Sequence, residues 1–574
     1  MAPVNTVTLA ILSRSAMRAD RAMLERVARA GLAAALCGVV GCEDARGTAG
    51  GTVIIGTAQD AETLLPPFAS RNTSRAITDL LFEKLADIGP ALNTLGDAGF
   101  QPRLATGWEW SRDSLAVTFH LDPLARWHDG QAVRAADVQF AFSVYRDSLV
   151  GARGSGDLSA VLDSISIHDS ITCTAWFRSR SPERFNTLVG TLLPLPGHLL
   201  GHTPPDSLRS SPFSRLPVGN GPFRFVRWEP QQRVELAANV SYHRGRPILD
   251  RVIWAITPQG TTLVQQLLGG GVDFVEFLAP DDASAVARAP ALRLLRRVNF
   301  DYGVAQLNLR DGATGRSHPL LGDRRLRRAL AMALDRGLML RSVFGTGGSS
   351  GLGPFVRAQW SSDTTVVPVE FNRTAAARLL DSLGWRAGAD GMRARGGRPL
   401  AFTLLVPTSS KSRSAFAVLL QEQLRQTGIR VEIELLDFSA FSARTSARRF
   451  DAAMQVFTAT PSPSGLRQTW TTSAARNDGF NYGRYENAVF DALVDSAITD
   501  TDLQSARRHY RLAYQTIVDD APALWLYEPP QLAAVNRRVQ LPPLRADAWW
   551  LSIPSWSATT GAPLVRTPTA VPKS

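Results

Sequence analysis

Ser349 is the first residue whose surroundings suggest chemistry, because residues 347–351 read Gly-Gly-Ser-Ser-Gly. This is the Gly-x-Ser-x-Gly spacing of a hydrolase nucleophile elbow, which needs a strand before the serine and a helix after it. Here a helical pattern precedes the motif and Pro354 follows it. We therefore interpret the segment as a glycine-rich loop and keep a hydrolase using Ser349 as the weakest alternative.

The eight histidines form no recognisable metal-binding pattern. His120 and His128 are close in sequence but lack a third ligand, and His198 and His202 follow Pro196 where a loop is expected. No phosphate-binding loop and no His-Glu-x-x-His motif occurs. The sequence thus predicts a protein that is not an enzyme and that needs no metal and no cofactor.

The elements that would position any site are of mixed α/β type. A β-α-β unit is expected from a strand at 402–406, a helix at 416–426 and a strand at 430–435, and such units imply a parallel sheet. Further predicted elements are strands at 52–56 and 116–121, a hairpin at 223–236, and helices at 77–85, at 137–145, from Asp323 and from Leu503.

The N-terminus has the pattern of an export signal. Residues 1–41 carry five arginines against two acidic residues, then an apolar run at 30–41 that is too short to span a bilayer. The run ends Val-Val-Gly before Cys42, which resembles a bacterial lipobox. We predict a lipoprotein signal peptide at 1–41, lipidation of Cys42 and a flexible tether at 42–51.

The chain of 574 residues carries a net charge of +12, which at first suggests a nucleic-acid partner. Only three of the 63 basic residues are lysine, however, and the arginines are spread among acidic residues along the whole length. A nucleic-acid footprint is expected to cluster. We therefore predict no nucleic-acid partner. Removal of the signal would leave Cys173 as the one unmodified cysteine, so no disulfide is expected.

Several blocks together carry a family resemblance. Pro-Arg-Leu-Ala-Thr-Gly-Trp at 102–108, Arg-Trp-His-Asp-Gly at 126–130 and Pro-Val-Gly-Asn-Gly-Pro-Phe at 217–223 come in order. Gly-Gly-Val-Asp-Phe at 270–274 and Asp-Asp-Ala-Pro at 519–522 follow. In this order and spacing the chain resembles the family 5 extracellular solute-binding proteins, the dipeptide-, oligopeptide- and nickel-binding receptors of ABC importers.

The resemblance implies a periplasmic binding protein type II fold, with two lobes, a hinge and an extra subdomain on lobe I. Carried over to this chain, the lobe I core comprises 51–81, 218–300 and 528–574. The extra subdomain comprises 82–217, and lobe II comprises 301–527. A ligand would be enclosed between the lobes by hinge closure and handed to a membrane permease.

In peptide-binding relatives an acidic residue of lobe II pairs with the peptide amino group. The corresponding stretch here, 457–464, reads Phe-Thr-Ala-Thr-Pro-Ser-Pro-Ser and has no carboxylate, unless Asp451 or Asp478 reaches the site. A buried ammonium without a counter-charge is costly. We therefore broaden the expected ligand to a peptide-like or other small organic solute.

The resemblance also places the candidate ligand-binding residues. They are Ser70, Arg71 and Asn72 after the first strand, Tyr302 and Gln306 at the lobe crossing, and Phe457, Thr458, Thr460, Trp470, Asn481 and Tyr482 in lobe II. Aromatic rings would stack on the ligand, and Arg71 would meet an acidic group. Packing in the core or between the lobes is the alternative for each aromatic residue, and a solvated surface charge is the alternative for Arg71.

The resulting hypothesis is a monomeric, lipid-anchored receptor of an ABC importer, exported to the periplasm or the cell surface. The alternative is an anchored ligand sensor or chaperone-like binder on the same fold, without transport. A nickel or metallophore receptor is a further variant, which the scattered histidines disfavour.

Overall fold

The computed structural model describes residues 50–345, 347–476 and 479–559. The predicted signal peptide, Cys42, all but the last two residues of the predicted tether, and residues 560–574 of the predicted lobe I lie outside the described residues. So does Asp478. Within the described part, no helix is both long enough and apolar enough to cross a bilayer.

The first sheet has seven strands and brings together distant parts of the chain. Thr52–Thr57 pairs in parallel with Arg251–Ile256 and with Phe274–Val275. The order across the sheet is Leu292–Arg297, Gln531–Asn536, Phe274–Val275, Thr52–Thr57, Arg251–Ile256, Arg233–Ala238 and Phe223–Glu229. The last two strands form the predicted antiparallel hairpin.

The second sheet is an antiparallel insertion of four strands. Its order is Ala105–Trp110, Ala116–Leu121, Thr172–Phe177 and Leu162–Ile167. Alternation puts Phe119 of this sheet inward, where its ring stacks on that of Phe185 with centroids 5.9 Å apart. Cys173 lies in the same buried layer, and burial raises the pKa of its thiol to about 12.

The third sheet has six strands, all drawn from residues 301–528. Its order is Ser349–Ser350, Ala523–Glu528, Asp301–Leu307, Ala452–Thr458, Ala401–Pro407 and Arg430–Leu436. The last two strands are parallel and are joined by helix Lys411–Arg425, which confirms the predicted β-α-β unit. The chain therefore passes from the first to the third sheet between Arg297 and Asp301 and returns between Glu528 and Gln531.

Helices cover the sheets and connect their strands. Those near the first and second sheets are Asn72–Leu81, Ala135–Arg146, Ser155–Val161, Arg184–Thr191, Gly197–Leu200, Gly260–Leu268 and Pro280–Arg288. Those near the third sheet are Arg324–Met332, Arg336–Phe344, Arg373–Ser382, Lys411–Arg425, Phe438–Ser446, Leu466–Trp470, Thr472–Arg476, Ala488–Thr499 and Leu503–Asp520.

Two sequence predictions about helix ends have different outcomes. Asp323 caps its helix as expected, because its side chain accepts a hydrogen bond of 2.8 Å from the Arg325 amide. The helix predicted at 77–85 instead spans Asn72–Leu81. Phe82 is already extended, and the chain continues into strand Ala86–Ile88, so Leu85 is buried without being helical.

The two glycines of the block at 217–223 allow a close approach of the backbone. A Cβ atom on Gly219 would lie 1.9 Å from the Leu81 carbonyl oxygen, so only glycine fits there. Asn220 between the glycines accepts a hydrogen bond of 2.9 Å from the Glu83 amide. The block thus joins the first sheet to the end of helix Asn72–Leu81.

Candidate functional site

A cavity of about 380 Å³ lies at the end of the central strands of the third sheet. Tyr302 and Phe457 form its inner wall. Their strands pair antiparallel with these two residues in register, and the rings stack with centroids 5.5 Å apart. Burial raises the pKa of the Tyr302 phenol, so the hydroxyl stays protonated and available for hydrogen bonding.

The side chains around this cavity are uncharged. The lining residues are Tyr302, Pro354, Gln359, Gln455, Val456, Phe457, Thr458, Ala459, Thr460, Ser462, Pro463, Gly465, Leu466, Gln468, Thr469, Phe480, Tyr482 and Tyr514. Aromatic rings and side-chain amides and hydroxyls on an apolar surface are typical of small-molecule sites. The cavity therefore suits an organic ligand with both apolar groups and hydrogen-bonding groups.

Three hydroxyl groups at the cavity donate hydrogen bonds to other groups of the protein. Thr458 Oγ1 donates to Asp301 Oδ1 at 2.6 Å, and Thr460 Oγ1 donates to the Ser462 carbonyl oxygen at 2.9 Å. Ser462 Oγ donates to Glu183 Oε2 at 2.6 Å. A hydroxyl has one proton, so the oxygens of Thr458 and Thr460 can only accept further hydrogen bonds. Ser462 Oγ already accepts from the Ser464 amide at 3.2 Å and lies 2.6 Å from Ser464 Oγ. This side of the cavity is therefore suited to donor groups on a ligand.

Two carboxylates lie immediately behind this rim of hydroxyls. Burial raises the pKa of the Asp301 carboxyl, and the hydrogen bond from Thr458 only partly offsets the effect. Burial likewise raises the pKa of the Glu183 carboxyl. Among the ion pairs between described residues, neither carboxylate takes part. Segment 457–464 has no acidic residue of its own, and Asp301 and Glu183 are the acidic groups that its hydroxyls contact.

Gln455 supplies a hydrogen-bond donor to the cavity, in contrast to the accepting hydroxyl oxygens. It lies in strand Ala452–Thr458, two residues before Phe457, and is 8% exposed. Its Nε2 atom has no hydrogen-bond partner among the described residues. A buried amide nitrogen of this kind is costly unless a ligand or water accepts from it. Gln455 is therefore placed to donate to a carbonyl of a bound ligand.

The structure brings five of the eleven sequence-predicted residues to this cavity: Tyr302, Phe457, Thr458, Thr460 and Tyr482. Trp470 lies behind the wall, fully buried, and its Nε1 donates to Tyr302 Oη at 3.0 Å. Gln306 is buried in the same sheet, and its amide has no partner among the described residues.

Asn481 is also behind the cavity rather than in its lining. Its Nδ2 donates to the carbonyl oxygens of Trp470, Thr471 and Tyr485, at 3.1, 2.9 and 2.8 Å. Its Oδ1 accepts from the Tyr485 amide at 3.0 Å. These four bonds fix the turn that presents Phe480 and Tyr482, so Asn481 acts on the cavity through the backbone.

Ser70, Arg71 and Asn72 lie elsewhere, at the start of helix Asn72–Leu81. Glu62 holds the first two, since its Oε1 accepts from Ser70 Oγ at 3.0 Å and from the Arg71 amide at 2.8 Å. Asn72 lines a separate cavity of about 70 Å³ on the first sheet, next to Thr57 and Glu276. The structure does not join these three residues to the Tyr302 cavity.

Ser349 and Asp451, which the sequence raised as further candidates, do not lie in the surroundings that those roles require. Ser349 lies in the two-residue strand Ser349–Ser350, which pairs with Ala523–Glu528, and not at a strand-to-helix turn. Asp451 is turned to His318, at 3.1 Å, and accepts from the Thr403 amide. Within the described residues, no group of three or more potential ligands could hold a metal ion.

A larger cavity of about 460 Å³ lies beside the first sheet. Its lining is strongly charged, with Asp79, Glu83, Lys84, Asp87 and Arg103 among its residues. None of the sequence-predicted site residues lines it, and it has no stacked aromatic wall. We therefore take the smaller, uncharged cavity as the candidate ligand site.

Sequence reasoning missed several lining residues. Strand alternation around Phe457 would have placed Gln455 on the same face. Gln359 and Phe480 come from irregular segments, where no periodic pattern signals a direction.

The family model described as "Bacterial extracellular solute-binding proteins, family 5 Middle" matches residues 99–478. The oligopeptide-binding protein AppA of Bacillus subtilis is 27% identical over 515 residues, covering 88% of this chain and 92% of that protein. Its solved structure in complex with a nonapeptide has a TM-score of 0.68 at 25% identity. That match covers 89% of this chain and all of the other.

The substrate-binding protein CtaP of Listeria monocytogenes has a TM-score of 0.76 at 22% identity. It covers 89% of this chain and 100% of the solved one. These structures confirm the fold predicted from the sequence, with two lobes and an inserted subdomain.

Proposed function

Because the chain belongs to the family 5 bacterial extracellular solute-binding proteins, which are binding proteins and not enzymes, we propose that it is a lipid-anchored receptor of an ABC importer. It captures a peptide or peptide-like solute in the Tyr302 cavity, between the two lobes, and delivers it to a membrane permease. The lobe I core is 51–81, 218–300 and 528–574, the extra subdomain is 82–217, and lobe II is 301–527.

The observation that carries the proposal is the uncharged aromatic cavity at the third sheet. Its volume of about 380 Å³ falls in the range of small-molecule sites. A peptide has alternating donors and acceptors, and the cavity offers both, from Gln455 on one side and from the hydroxyl oxygens of Thr458 and Thr460 on the other.

The names of relatives support the ligand class. AppA of Bacillus subtilis is called oligopeptide-binding and has been solved with a nonapeptide. Segment 457–464 has no carboxylate of its own, but the hydroxyls of Thr458 and Ser462 donate to the carboxyl groups of Asp301 and Glu183 behind the lining. A peptide ammonium near Thr458 would therefore meet a hydroxyl oxygen that can only accept a hydrogen bond.

Anchoring follows from the sequence of the leader. Cys42 after the apolar run would carry the acyl chains, and residues 42–51 would tether the folded part to the membrane. A lipoprotein carries more than one acyl chain, which stable anchoring needs. Labelling of cells with a fatty-acid analogue should mark the wild-type chain and leave the Cys42→Ser variant unmarked. Labelling of both would contradict the anchor.

The binding proposal is tested with a peptide mixture and mass spectrometry. The full chain is mixed with a library of di- to nonapeptides, separated from free peptide, and the retained peptides are identified. The wild type should retain a defined subset. Thr460→Trp fills the cavity from an exposed position and should retain none, whereas the control Thr499→Trp places the same residue on an exposed helix end of the same lobe. Equal retention by both variants would exclude this cavity.

A further inference from the structure

Glu183 of the first lobe reaches across to the wall of the candidate cavity in the second. It directly precedes helix Arg184–Thr191, which packs against the second sheet. Its Oε2 accepts a hydrogen bond of 2.6 Å from Ser462 Oγ, although the two residues are 279 positions apart. The contact therefore joins parts of the chain that belong to different sheets.

A second hydroxyl completes the carboxylate's surroundings. Thr94 Oγ1 donates to Glu183 Oε1 and itself accepts from Trp360 Nε1 at 2.9 Å. Thr94 is 1% exposed. Trp360 and Ser462 both belong to the second lobe, 301–527, whereas Thr94 and Glu183 belong to the first. The hydrogen bonds therefore cross between the lobes twice, at Ser462 and at Trp360.

Apolar packing supports the same contact. Leu92 and Leu95, next to Thr94, are buried in one cluster with Trp360 and Leu466 of the second lobe. The Gly96 amide donates to the Pro182 carbonyl oxygen at 2.8 Å, which ties the leucine segment to the residue before Glu183. The first lobe thus presents one small unit, with an apolar part and a carboxyl group, to the second.

Within the part of the chain that the structure describes, no arginine forms an ion pair with Glu183. The Arg184 guanidinium donates to the carbonyl oxygens of Ser114 and Ser181 and stacks over Trp110 at 4.7 Å. Arg467 is paired with Asp495. The Glu183 carboxyl therefore depends on hydroxyl donors that the second lobe supplies or orients, and water would replace them if the lobes separated.

The other end of the contact is the segment that lines the cavity. We define the cavity loop as residues 459–464. The Ser462 carbonyl oxygen accepts from Thr460 Oγ1 at 2.9 Å, and the Ser464 amide donates to Ser462 Oγ at 3.2 Å. Within its own lobe, the loop is held at the Thr460 carbonyl oxygen by Gln359 Nε2, at 2.9 Å. Glu183 adds a hold from the opposite lobe.

We propose that Glu183 is a positioning residue that couples closure of the lobes to the conformation of the cavity loop. When the lobes meet, Ser462 bonds to its carboxyl group and Trp360 bonds to the Thr94 hydroxyl that donates to the same carboxyl. The loop is then fixed, and the lining oxygens take their ligand-binding positions. When the lobes part, the loop loses its hold from the first lobe and the cavity wall relaxes.

The test measures closure without any ligand, so it does not depend on the proposed receptor function. Nitroxide labels are placed at the exposed positions Thr106 and Ser496, in the full chain with Cys37 and Cys42 replaced by serine. Cys173 is 1% exposed, and a thiol pKa of about 12 keeps it from reacting with the label. Pulsed electron paramagnetic resonance then gives the distribution of distances between the lobes.

Glu183→Ala should lower the ratio of short to long distances by about tenfold, because two hydroxyl groups lose their acceptor. Glu183→Gln keeps an acceptor and a similar shape and should match the ratio that the wild type reaches at low pH, where its carboxyl group is neutral. Glu109→Ala removes an exposed carboxylate from the second sheet and serves as the matched control. Thr94→Val, which keeps the shape and removes the hydroxyl, should behave like Glu183→Ala.

The proposal would be overturned if Glu183→Ala and Thr94→Val gave the same ratio of short to long distances as the control Glu109→Ala. If Glu183→Ala does not fold, as judged by its melting curve, the isosteric Thr94→Val decides alone. If the wild type retains no peptide but the variants shift the distance distribution as expected, the receptor function is rejected and the coupling through Glu183 stands.

Discussion

The rings of Tyr302 and Phe457 stack with centroids 5.5 Å apart and planes inclined by 29°, on neighbouring antiparallel strands of the third sheet. Trp470 supports the pair from behind, because its Nε1 donates to Tyr302 Oη. The inner wall of the cavity is therefore held rigidly before any ligand arrives, which lowers the entropy cost of binding.

Phe457→Ala should weaken binding of a retained peptide by about tenfold, since one face of the aromatic wall is lost. Phe438→Ala is the control, because Phe438 is 58% exposed at the start of a helix of the same lobe. Titration calorimetry with one peptide from the retained set gives both affinities. An equal affinity for the two variants would remove Phe457 from the site.

Asn481→Ala should lower the free energy of unfolding by roughly 3 kcal/mol, because four buried backbone groups lose their partner. Chemical denaturation of the variant and the wild type measures the change. A variant with unchanged stability and lost binding would instead assign Asn481 to ligand contact.

Gly219→Ala should destabilise the first lobe by about 2–4 kcal/mol, since its Cβ would overlap the Leu81 carbonyl oxygen. Gly260→Ala is the matched control, because Gly260 begins a helix and a Cβ there meets no atom within 4 Å. Thermal unfolding should show a lowered transition for the first variant only. Equal transitions would argue against the close approach.

Closure of the lobes should depend on pH through Glu183. Burial raises the pKa of its carboxyl group in the closed arrangement, while in the open arrangement the hydrated group keeps its ordinary pKa. The neutral acid therefore favours closure, and this contribution is present below the ordinary pKa and is lost as the pH rises through the raised one.

The groups facing Glu183 do not titrate in that interval. Burial raises the pKa of the Tyr510 phenol, so it stays neutral, and the Arg184 guanidinium stays charged. The closed fraction of the wild type, measured by the same spin labels, should fall with rising pH, and that of Glu183→Gln should stay flat. Parallel slopes for the two proteins would contradict this assignment.

The sequence predicted elements whose signals are local. Asp323 caps its helix and the β-α-β unit at 401–436 forms as expected, because capping and hydrophobic periodicity act over a few residues. The same reasoning misplaced the end of helix Asn72–Leu81, where tertiary packing of Phe82 decides the backbone conformation.

The lining of the candidate cavity was predictable where strands define a direction and a resemblance defines the segment, as for Tyr302 and Phe457. It was not predictable where the contact joins irregular segments. No pattern in the sequence links Glu183 to Ser462, since their meeting depends on how the second sheet lies against the third. Arg71 was expected at the ligand from the resemblance, but Glu62 holds it in a part of the first lobe that is separate from the cavity.

Hydrogen–deuterium exchange with a retained peptide tests most directly whether the ligand lies in the Tyr302 cavity. Peptide binding should slow exchange in segments 455–464 and 480–482, which line that cavity, and leave segment 242–248 of the larger charged cavity unchanged. Protection of 242–248 with unchanged exchange at 455–464 would contradict the assignment of the site.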